Sequence, residues 1–382
     1  MKRIAVITGS RAEYGILKPV IDKIDFDPTM QLQLVITGSH LSPEHGMTVH
    51  DIENDGLPVT SRVDMLLSGD STPVMGKSLG IGITGLTTEL ERLKPEIAIV
   101  LGDRIEAFAG AIAGLFCGAM VVHIHGGELT GGGMDEYMRH AITKLAHLHF
   151  TATEKAKTRV INLGEHPSFV YCSGSPGLDD LLEFPALSAE QMQEKLGFAL
   201  AERYALVVQH PVSTHADSAA DEMGQVLEAV KQCNIPAVLA YPNADAGRNA
   251  MMDVIRRYES EEWLNTYINL PRKFYCNLLR NTAVMVGNSS SGLIDAGSFG
   301  VPVVNVGQRQ QGRERGANVI DAPMVETASI QKIIQQALSD KFSQTAKNAI
   351  NPYGDGDASG KIHSILQIVD ADRAKNSKRL PW

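Results

Sequence analysis

Positive charge, aromatic side chains, cysteine and long apolar runs are all scarce in this chain. Its 35 Lys and Arg residues are outnumbered by 44 Asp and Glu residues, and the net charge of −9 disfavours non-specific binding to nucleic acid or to a membrane surface. Aromatic residues make up 5% of the chain, which disfavours an aromatic-lined groove. An anion that this protein binds must therefore be held at a local site.

The cysteines and the apolar runs exclude two further classes of protein. Cys117, Cys172, Cys233 and Cys276 lie far apart and form no Cys-x-x-Cys pair, so neither a disulfide framework nor a zinc knuckle is indicated. The longest uncharged apolar run, 107–122, contains three glycines and is shorter than the roughly 20 residues of a membrane-spanning helix. We therefore expect a cytoplasmic protein with no membrane or nucleic-acid partner.

What the chain does contain is a series of short β-branched runs that alternate with amphipathic segments. Runs of this kind are typical of parallel strands that are buried on both faces and separated by helices. The predicted strands are Ile4–Ile7, Leu32–Ile36, Ile97–Leu101, Met120–Ile124, His149–Thr151, Val170–Tyr171, Tyr204–Val208, Ala237–Ala240, Thr266–Ile268, Val284–Val286 and Val301–Val306. The pattern predicts an α/β fold with two Rossmann-like, doubly wound domains that face a cleft.

A turn-rich segment, 174–177, separates the two sets of strands. We place the first domain at 1–175 and the second at 176–360. The remaining residues, 361–382, begin with four apolar side chains at helical spacing, which predicts a C-terminal docking helix and tail.

Ligands of open parallel sheets bind beyond the carboxyl ends of the strands, and polar residues are concentrated there. After the first strand, Arg11 is suited to a phosphate or carboxylate, although a capped turn with a solvated arginine explains the same residues. After the third predicted strand, Asp103 is either a helix N-cap or a general base. Its neighbour Arg104 either pairs with it or reaches a phosphate group of the substrate.

The densest polar group follows the fourth predicted strand. His123 and His125 are two residues apart, as metal ligands on one strand face would be, but no third ligand follows at a typical spacing, so we predict no metal site. Glu128 and Asp135 flank a glycine-rich loop. Paired carboxyl groups of this kind suit acid and base catalysis on a sugar ring.

The second half contains a segment suited to a diphosphate. Gly287–Gly292, with three consecutive serines, lies between a strand and a helix, where backbone N–H groups bind phosphate without a metal. Asp295 is placed to accept hydrogen bonds from ribose hydroxyls. Arg309 and Arg313 add positive charge nearby.

Two more polar residues follow strands of the second half, His210 and Asn243, and each is either a ligand contact or a satisfied buried group. Together, carboxylates and histidines in one half and a diphosphate site in the other describe an enzyme that acts on a nucleotide-sugar. No cofactor is predicted.

The motifs together resemble those of the hydrolysing UDP-N-acetylglucosamine 2-epimerases, in the order of that family and over nearly the whole chain. The matching segments are 9–15, 102–104, 123–128, 139–144, 287–292 and 307–313. The resemblance implies a fold like that of B-type glycosyltransferases, with the active site between two domains. It also implies conversion of UDP-N-acetylglucosamine and water to N-acetylmannosamine and UDP, for sialic acid synthesis, by elimination of UDP and hydration of a 2-acetamidoglucal.

The resemblance also implies roles for single residues. It marks Asp103, Glu128 and Asp135 as acid/base groups, and His40 and Arg139 as helpers. Many relatives carry Glu at the position of His125. His125 is therefore a further candidate catalytic residue, and Glu128 is expected to supply the carboxylate that those relatives have at that position. The implied UDP contacts are Arg11, Arg104, His210, Ser289, Ser290, Asp295 and Arg309.

Other functions remain compatible with these motifs. One is the same reaction on UDP-2,4-diacetamido-2,4,6-trideoxyglucose or on a GDP-sugar such as GDP-N-acetylglucosamine, towards legionaminic acid. Another is a B-type glycosyltransferase. A non-catalytic sugar-nucleotide-binding protein is disfavoured, since binding alone does not require the clustered carboxylates and histidines. From the family we also expect a homodimer or a tetramer.

Overall fold

Two parallel β-sheets, each covered by helices on both faces, organise the computed structural model of the chain. The structure describes residues 1–69, 71–129, 134–212, 217–242, 247–267, 270–376 and 378. Internal contacts divide the chain into two compact units, Met1–Asp180 together with Tyr353–Trp382, and Leu181–Pro352.

The strands of the described residues follow the predicted runs closely. They are β1 (Lys2–Thr8), β2 (Met30–Thr37), β3 (Val59–Val63), β4 (Ile97–Leu101), β5 (Met120–Ile124), β6 (Leu148–Thr151), β7 (Val170–Cys172), β8 (Ala205–Val208), β9 (Ala237–Ala240), β10 (Leu264–Tyr267), β11 (Val284–Gly287), β12 (Val303–Val306) and β13 (Val319–Ala322). Ile268, predicted to end a strand, lies outside the described residues.

Helices occupy most of the segments between these strands. They are α1 (Arg11–Phe26), α2 (Val49–Asn54), α3 (Thr72–Leu93), α4 (Ile105–Phe116), α5 (Met134–Leu145), α6 (Glu154–Asn162), α7 (Gly177–Glu183), α8 (Ala189–Leu196), α9 (Ala219–Gln232), α10 (Arg248–Ile255), α11 (Arg272–Asn281), α12 (Ser290–Ile294), α13 (Thr327–Ala337), α14 (Asp340–Lys347), α15 (Ala358–Ile368) and α16 (Ala371–Asn376). None of the helices that the structure describes has the length and apolar character that a membrane crossing needs.

Strand order confirms the predicted doubly wound architecture. The sheet of the first unit has the order β3-β2-β1-β4-β5-β6-β7, that of the second unit has β10-β9-β8-β11-β12-β13, and the described strand pairs are parallel. In each sheet the direction of winding reverses between two central strands, β1 and β4 in the first and β8 and β11 in the second. Crevices at such reversals are where open α/β sheets bind ligands.

Two strands were missed by the sequence analysis, and both lie at sheet edges. The residues of β3 alternate between half-exposed and exposed up to Val63, and β13 is buried only at Ala322. The prediction relied on continuous apolar runs, which mark strands that are covered on both faces. An edge strand meets fewer neighbours, so its sequence carries polar residues such as Arg62 and Asp321.

Alternation along each central strand divides the core into two layers. In β1, Ile4 and Val6 pack on the face that α1 and α15 cover, whereas Ala5 and Ile7 pack on the face of α3 and α4. The second sheet has the same two-layered core. Because both faces are buried, a shift of one residue along a strand would turn each of its side chains towards the helices on the opposite face of the sheet.

Helix α15 packs into the first unit, and its two ends are bound by side chains of opposite charge. The carboxylate of Asp179 accepts hydrogen bonds from the N–H groups of Ala358 (3.0 Å) and Ser359 (2.6 Å) at the start of the helix. At the other end, the ammonium group of Lys2 donates to the carbonyl groups of Leu366 (3.0 Å) and Gln367 (2.7 Å). Both contacts complement the helix dipole and join distant parts of the chain.

Truncation of Leu366 tests whether α15 belongs to the core of the first unit. Leu366 is fully buried, whereas Ile368, two residues later, is 82% exposed. We expect Leu366→Ala to lower the free energy of unfolding by about 2–5 kcal/mol, because it leaves a cavity in a packed core. Urea denaturation of both variants measures this, with Ile368→Ala as the matched control. Equal effects would contradict the packing of α15.

Candidate active site

A buried carboxylate, Glu106, lies where the loops after β1, β2 and β4 meet. Its side chain is 1% exposed. A Cβ atom on Gly9 would lie 2.4 Å from Cγ of Glu106, and one on Gly38 would lie 2.5 Å from its Oε1. Only glycine fits at both positions, so the loops that carry Arg11 and His40 approach the first turn of α4 closely.

A second buried carboxyl group, that of Glu13, lies beside Glu106. Its Oε2 accepts a hydrogen bond from the N–H of Gly9 at 2.9 Å. Burial, and then the charge of Glu106, raise the pKa of Glu13 to about 8, although Gly9 and Arg104 act in the opposite direction. Glu13 therefore carries a proton at neutral pH.

His40 is a neutral, immobilised imidazole. Its Nε2 lies 3.1 Å from the hydroxyl of Thr8, and its Nδ1 lies 2.8 Å from that of Thr48. Burial lowers the pKa of His40 to about 4. Both ring nitrogens face hydroxyl groups of the first unit, and the predicted role of His40 as a helper in catalysis stays a prediction.

Arg139 joins the polar residues around the end of β4. This arginine on α5 is 2% exposed and forms an ion pair with the partly exposed Asp103. Its Nη1 also donates to Oε2 of Glu136 and to the backbone carbonyl of Glu128, both at 2.9 Å. The structure thus brings Asp103, Arg139 and the backbone of Glu128 together and adds Glu136, while their roles in catalysis stay predictions.

The turn that carries Asp103 is held by His123. The Nε2 atom of this fully buried histidine lies 2.8 Å from the carbonyl oxygen of Gly102, which has a φ of +78°. Because a carbonyl oxygen only accepts, the Nε2 atom carries the proton. The Nδ1 atom lies 3.3 Å from the hydroxyl of Thr143. Burial lowers the pKa of His123 to about 3, so the ring stays neutral.

His125 does not continue the strand that contains His123. β5 ends at Ile124, and His125 has a φ of +64°. The expected two-residue alternation therefore stops before His125, whose Nδ1 lies 3.5 Å from Oε1 of Glu128. Among the described residues, no group of three or more His, Cys, Asp or Glu is arranged to hold a metal ion.

Three of the predicted residues of the first unit lie at its surface. Arg11 is the first residue of α1, and its Nε lies 3.7 Å from Oδ2 of Asp51. Arg104 is the N-cap of α4, with its Nε 3.5 Å from Oε2 of Glu106. Asp135 is exposed in the first turn of α5. All three are accessible to a ligand.

In the second unit, Asn288 joins the ends of β8 and β11. Its Oδ1 accepts from the N–H of His210 and its Nδ2 donates to the carbonyl of the same residue, both at 2.8 Å. The preceding residue, Gly287, has a φ of +135°, and a Cβ there would lie 2.2 Å from the carbonyl oxygen of Val208. This close approach places His210 beside the serines.

The serines begin the short helix α12. Ser289 is its N-cap, and its hydroxyl accepts from the N–H of Ser291 at 3.3 Å. Ser290 is half-buried, and Ser291 accepts a hydrogen bond from the hydroxyl of Tyr275 at 2.7 Å. Asp295 is buried, which raises its pKa even though Arg272 and Ser291 favour the ionised form.

The arginines predicted beside this segment follow β12. The Nη1 atom of Arg309 donates to the carbonyl of Asn288 at 3.3 Å, and Nε2 of the buried Gln310 donates to the same oxygen at 2.8 Å. Arg313 is half-buried in the same loop. Asn243, predicted as a further contact, lies outside the described residues.

Comparisons with known proteins agree with this fold. A family model described as UDP-N-acetylglucosamine 2-epimerase matches residues 22–367. The chain belongs to the UDP-N-acetylglucosamine 2-epimerase family. The predicted family is therefore confirmed, and with it the prediction that the chain is an enzyme.

Two curated relatives of this family member are equally similar to it. A hydrolysing UDP-N,N'-diacetylbacillosamine 2-epimerase of Legionella pneumophila is 34% identical over 97% of this chain and 96% of the relative. A UDP-N-acetylglucosamine 2-epimerase of Neisseria meningitidis is also 34% identical, over 97% and 95% respectively. Among solved structures, a UDP-GlcNAc 2-epimerase of Neisseria meningitidis bound to UDP-GlcNAc matches with a TM-score of 0.83 and 21% identity, over 96% of this chain and 100% of that one.

Three carboxyl groups of this family member were not among the predicted site residues. In the sequence, these residues resemble ordinary acidic residues in the first turn of a helix, where a negative charge interacts favourably with the helix dipole. They are Glu13, Glu106 and Glu136. Their burial and partners depend on loops and helices distant in sequence. The one available signal was Glu106, whose spacing of three residues from Asp103 places the two acids near the same helix start.

Replacement of Glu13 tests the proton assigned to it. Because the pKa of Glu13 is about 8 in the folded chain and about 4.5 for an ordinary glutamic acid, the folded state binds more protons than the unfolded state between these pH values. The stability that this proton gives to the folded state is complete below pH 4.5 and is lost as the pH rises towards 8. The free energy of unfolding of Glu13→Gln should therefore rise relative to that of the unchanged chain as the pH rises, by at most about 1.4 kcal/mol per pH unit.

Urea denaturation at pH 5.5 to 8.5, expressed as the difference between variant and unchanged chain, measures this slope. Glu44→Gln, at an exposed position on the same unit, is the control. Parallel stability curves for Glu13→Gln and the unchanged chain would contradict a protonated Glu13.

Proposed function

We propose that this protein is a hydrolysing 2-epimerase that converts UDP-N-acetylglucosamine and water to N-acetylmannosamine and UDP, for sialic acid synthesis. The main support is the ion pair of buried Arg139 with Asp103 at the carboxyl end of β4, in a member of this family. The relative from Legionella is named as a hydrolysing enzyme, and the relative from Neisseria as one that acts on UDP-N-acetylglucosamine.

The proposed chemistry begins with removal of the proton on C2 of the sugar. That proton is weakly acidic, so its removal must be coupled to departure of UDP, which leaves a 2-acetamidoglucal. We assign the base to Asp103, since Arg139 fixes this partly exposed carboxylate at the carboxyl end of β4. Hydration of the double bond then needs acid/base groups, for which Glu128, Asp135 and His125 are the candidates.

Stabilisation of the leaving UDP is the second task, and we assign it mainly to the second unit. Ser289 and Ser290 start α12, and Arg309 is attached to the same turn through the carbonyl of Asn288. N–H and guanidinium donors fixed before the reaction stabilise negative charge as it develops. His210, Asp295 and Arg313, together with Arg11 and Arg104 of the first unit, complete the proposed contacts. No metal or cofactor is part of this proposal.

A second sugar is also compatible with the similarity. The Legionella relative acts, by its name, on UDP-N,N'-diacetylbacillosamine, and this chain is 34% identical to it and to the Neisseria relative alike. Overall identity therefore does not favour one substituent at C4 and C6 of the sugar. The diacetamido-trideoxy sugar is the main alternative substrate for the same chemistry. A GDP-linked substrate and a glycosyl-transfer reaction are weaker alternatives.

The decisive experiment is proton NMR of the full chain with UDP-N-acetylglucosamine in D₂O. Elimination and hydration take the new C2 proton from solvent, so we expect N-acetylmannosamine deuterated at C2 and free UDP from the first turnovers. The diacetamido-trideoxy substrate, assayed in parallel, compares the two sugars directly.

Other products would contradict the proposal in distinct ways. UDP-N-acetylmannosamine would assign the chain to the non-hydrolysing reaction. Undeuterated N-acetylglucosamine would indicate a transferase that uses water as acceptor. Turnover of the diacetamido-trideoxy sugar alone would keep the chemistry and replace the substrate.

Asp103→Asn tests the assignment of the base. The variant keeps the shape of the side chain but cannot accept the proton, so we expect kcat to fall by a factor of about 10²–10⁴. Because Asp103 is not assigned to UDP, the Kd for UDP in calorimetry should stay unchanged. Asp25→Asn, at an exposed position on α1, is the control. Loss of UDP affinity in step with activity would argue against a base at Asp103.

The remaining predictions concern the cellular and quaternary setting. A cytoplasmic location and a homodimer, or a tetramer, stay predictions. The domain limits 1–175, 176–360 and 361–382 also remain the proposed functional division, beside the two compact units of the structure.

A further inference from the structure

A lysine near the end of the chain has its ammonium group fully engaged inside the first unit. Nζ of Lys378 donates to the carbonyl oxygens of Ala146 (2.6 Å) and Thr143 (3.1 Å) and forms an ion pair with Glu165. An ammonium group has three N–H donors, and these three oxygens satisfy them. The side chain is 24% exposed, so most of it is held within the protein.

Two of these oxygens belong to the C-terminal end of α5. The carbonyls of the last helical turn have no partner within the helix. The N–H of His147, four residues after Thr143, donates instead to the carbonyl of Val121 at 2.8 Å. Lys378 thus supplies a donor to Thr143, and its positive charge complements the negative end of the helix dipole.

The third oxygen belongs to a carboxylate that gathers several donors. Glu165 is 5% exposed and accepts from Nζ of Lys144 at 2.6 Å and from Nε2 of the buried His149 at 3.2 Å, in addition to Lys378. Burial alone would raise the pKa of Glu165, but these hydrogen bonds lower it to about 2. The carboxylate is therefore a permanent anchor for Lys378.

The end of α5 is connected to the turn that carries Asp103. The hydroxyl of Thr143 donates to the carbonyl of Arg139 at 3.0 Å and lies 3.3 Å from Nδ1 of His123, whose Nε2 lies 2.8 Å from the carbonyl of Gly102, the residue before Asp103. One turn earlier on the same helix, Arg139 pairs with the carboxylate of Asp103. The backbone and the side chain of Asp103 are thus both positioned from α5.

We propose that Lys378 is a positioning residue for the reaction centre, because it fixes the end of α5 and, through Thr143 and His123, the turn of Asp103. The inference rests on the proposed role of Asp103 as the base. Lys378 does not contact the reacting atoms in this role. It acts on kcat and leaves the binding of UDP to the second unit unchanged.

Lys378→Met in the full chain removes the charge and the three N–H donors and leaves an unbranched side chain that is one atom shorter. We expect kcat for the nucleotide-sugar to fall between about 10- and 100-fold, since displacement of a reacting group by about 1 Å has a cost of that order. The Kd for UDP should not change. Lys375→Met is the matched control, because Lys375 lies in the same C-terminal segment, and its Nζ donates to the carbonyl of Gly118 (3.2 Å) and lies 3.3 Å from Oδ1 of Asp372.

Two further variants separate positioning from a general loss of stability. Lys378→Arg keeps the charge and should lose less activity than Lys378→Met, and equal losses would overturn the proposal. Thr143→Val removes the hydroxyl that faces His123. If Lys378 acts through Thr143, the combined loss in kcat of the double variant is smaller than the product of the single losses. Independent, multiplicative losses would overturn the proposed path.

A readout without turnover keeps this test separate from the test of the proposed function. In ¹⁵N–¹H spectra of the full chain at neutral pH, the Nε2–H of His123 reports its hydrogen bond to Gly102. We expect Lys378→Met to shift or broaden this signal and Lys375→Met to leave it unchanged. An unchanged signal in Lys378→Met overturns the inference. Absence of turnover in the unchanged chain would instead overturn the proposed function.

Discussion

The buried guanidinium group of Arg139 is the constraint on which the rest of the first unit depends. A charge that is almost removed from water must be neutralised and hydrogen-bonded, or it destabilises the fold. Here Asp103, Glu136 and the carbonyl of Glu128 supply the partners. Asp103 follows β4, Glu128 follows β5, and Glu136 lies on α5. Satisfying one arginine therefore fixes the carboxyl group of Asp103 and the backbone of Glu128, two residues of the proposed reaction.

In the second unit, a neutral side chain joins the strand ends at the candidate site. Asn288 connects the strand ends through paired hydrogen bonds to His210, and its carbonyl collects Arg309 and Gln310. An amide side chain donates and accepts, so it joins two backbones without a charge of its own. In the proposed function, the surrounding arginines supply positive charge for an anion. One unit is organised around buried charge, and the other around a neutral junction.

Much of the fold could be predicted because it depends on local patterns. Continuous apolar runs located the central strands, and Arg11, Asp103 and Ser290 are candidate site residues because they follow such runs. The edge strand β3 was missed because its exposed face carries polar residues. The alternation argument for His123 and His125 did not hold because β5 ends between them. A strand end depends on hydrogen bonds to neighbouring strands, which the local pattern does not contain.

The sequence by itself determined the α/β class, the doubly wound order of elements and the family, because apolar periodicity and strand-end motifs are properties of adjacent residues. Only the tertiary structure decided the protonation and the partners of the buried groups. Glu13 is a neutral acid because burial removes it from water and the charge of Glu106 opposes its ionisation. Lys378 reaches Thr143 although 235 residues separate them. Such contacts depend on burial and distance in space, and no local pattern of residues records either.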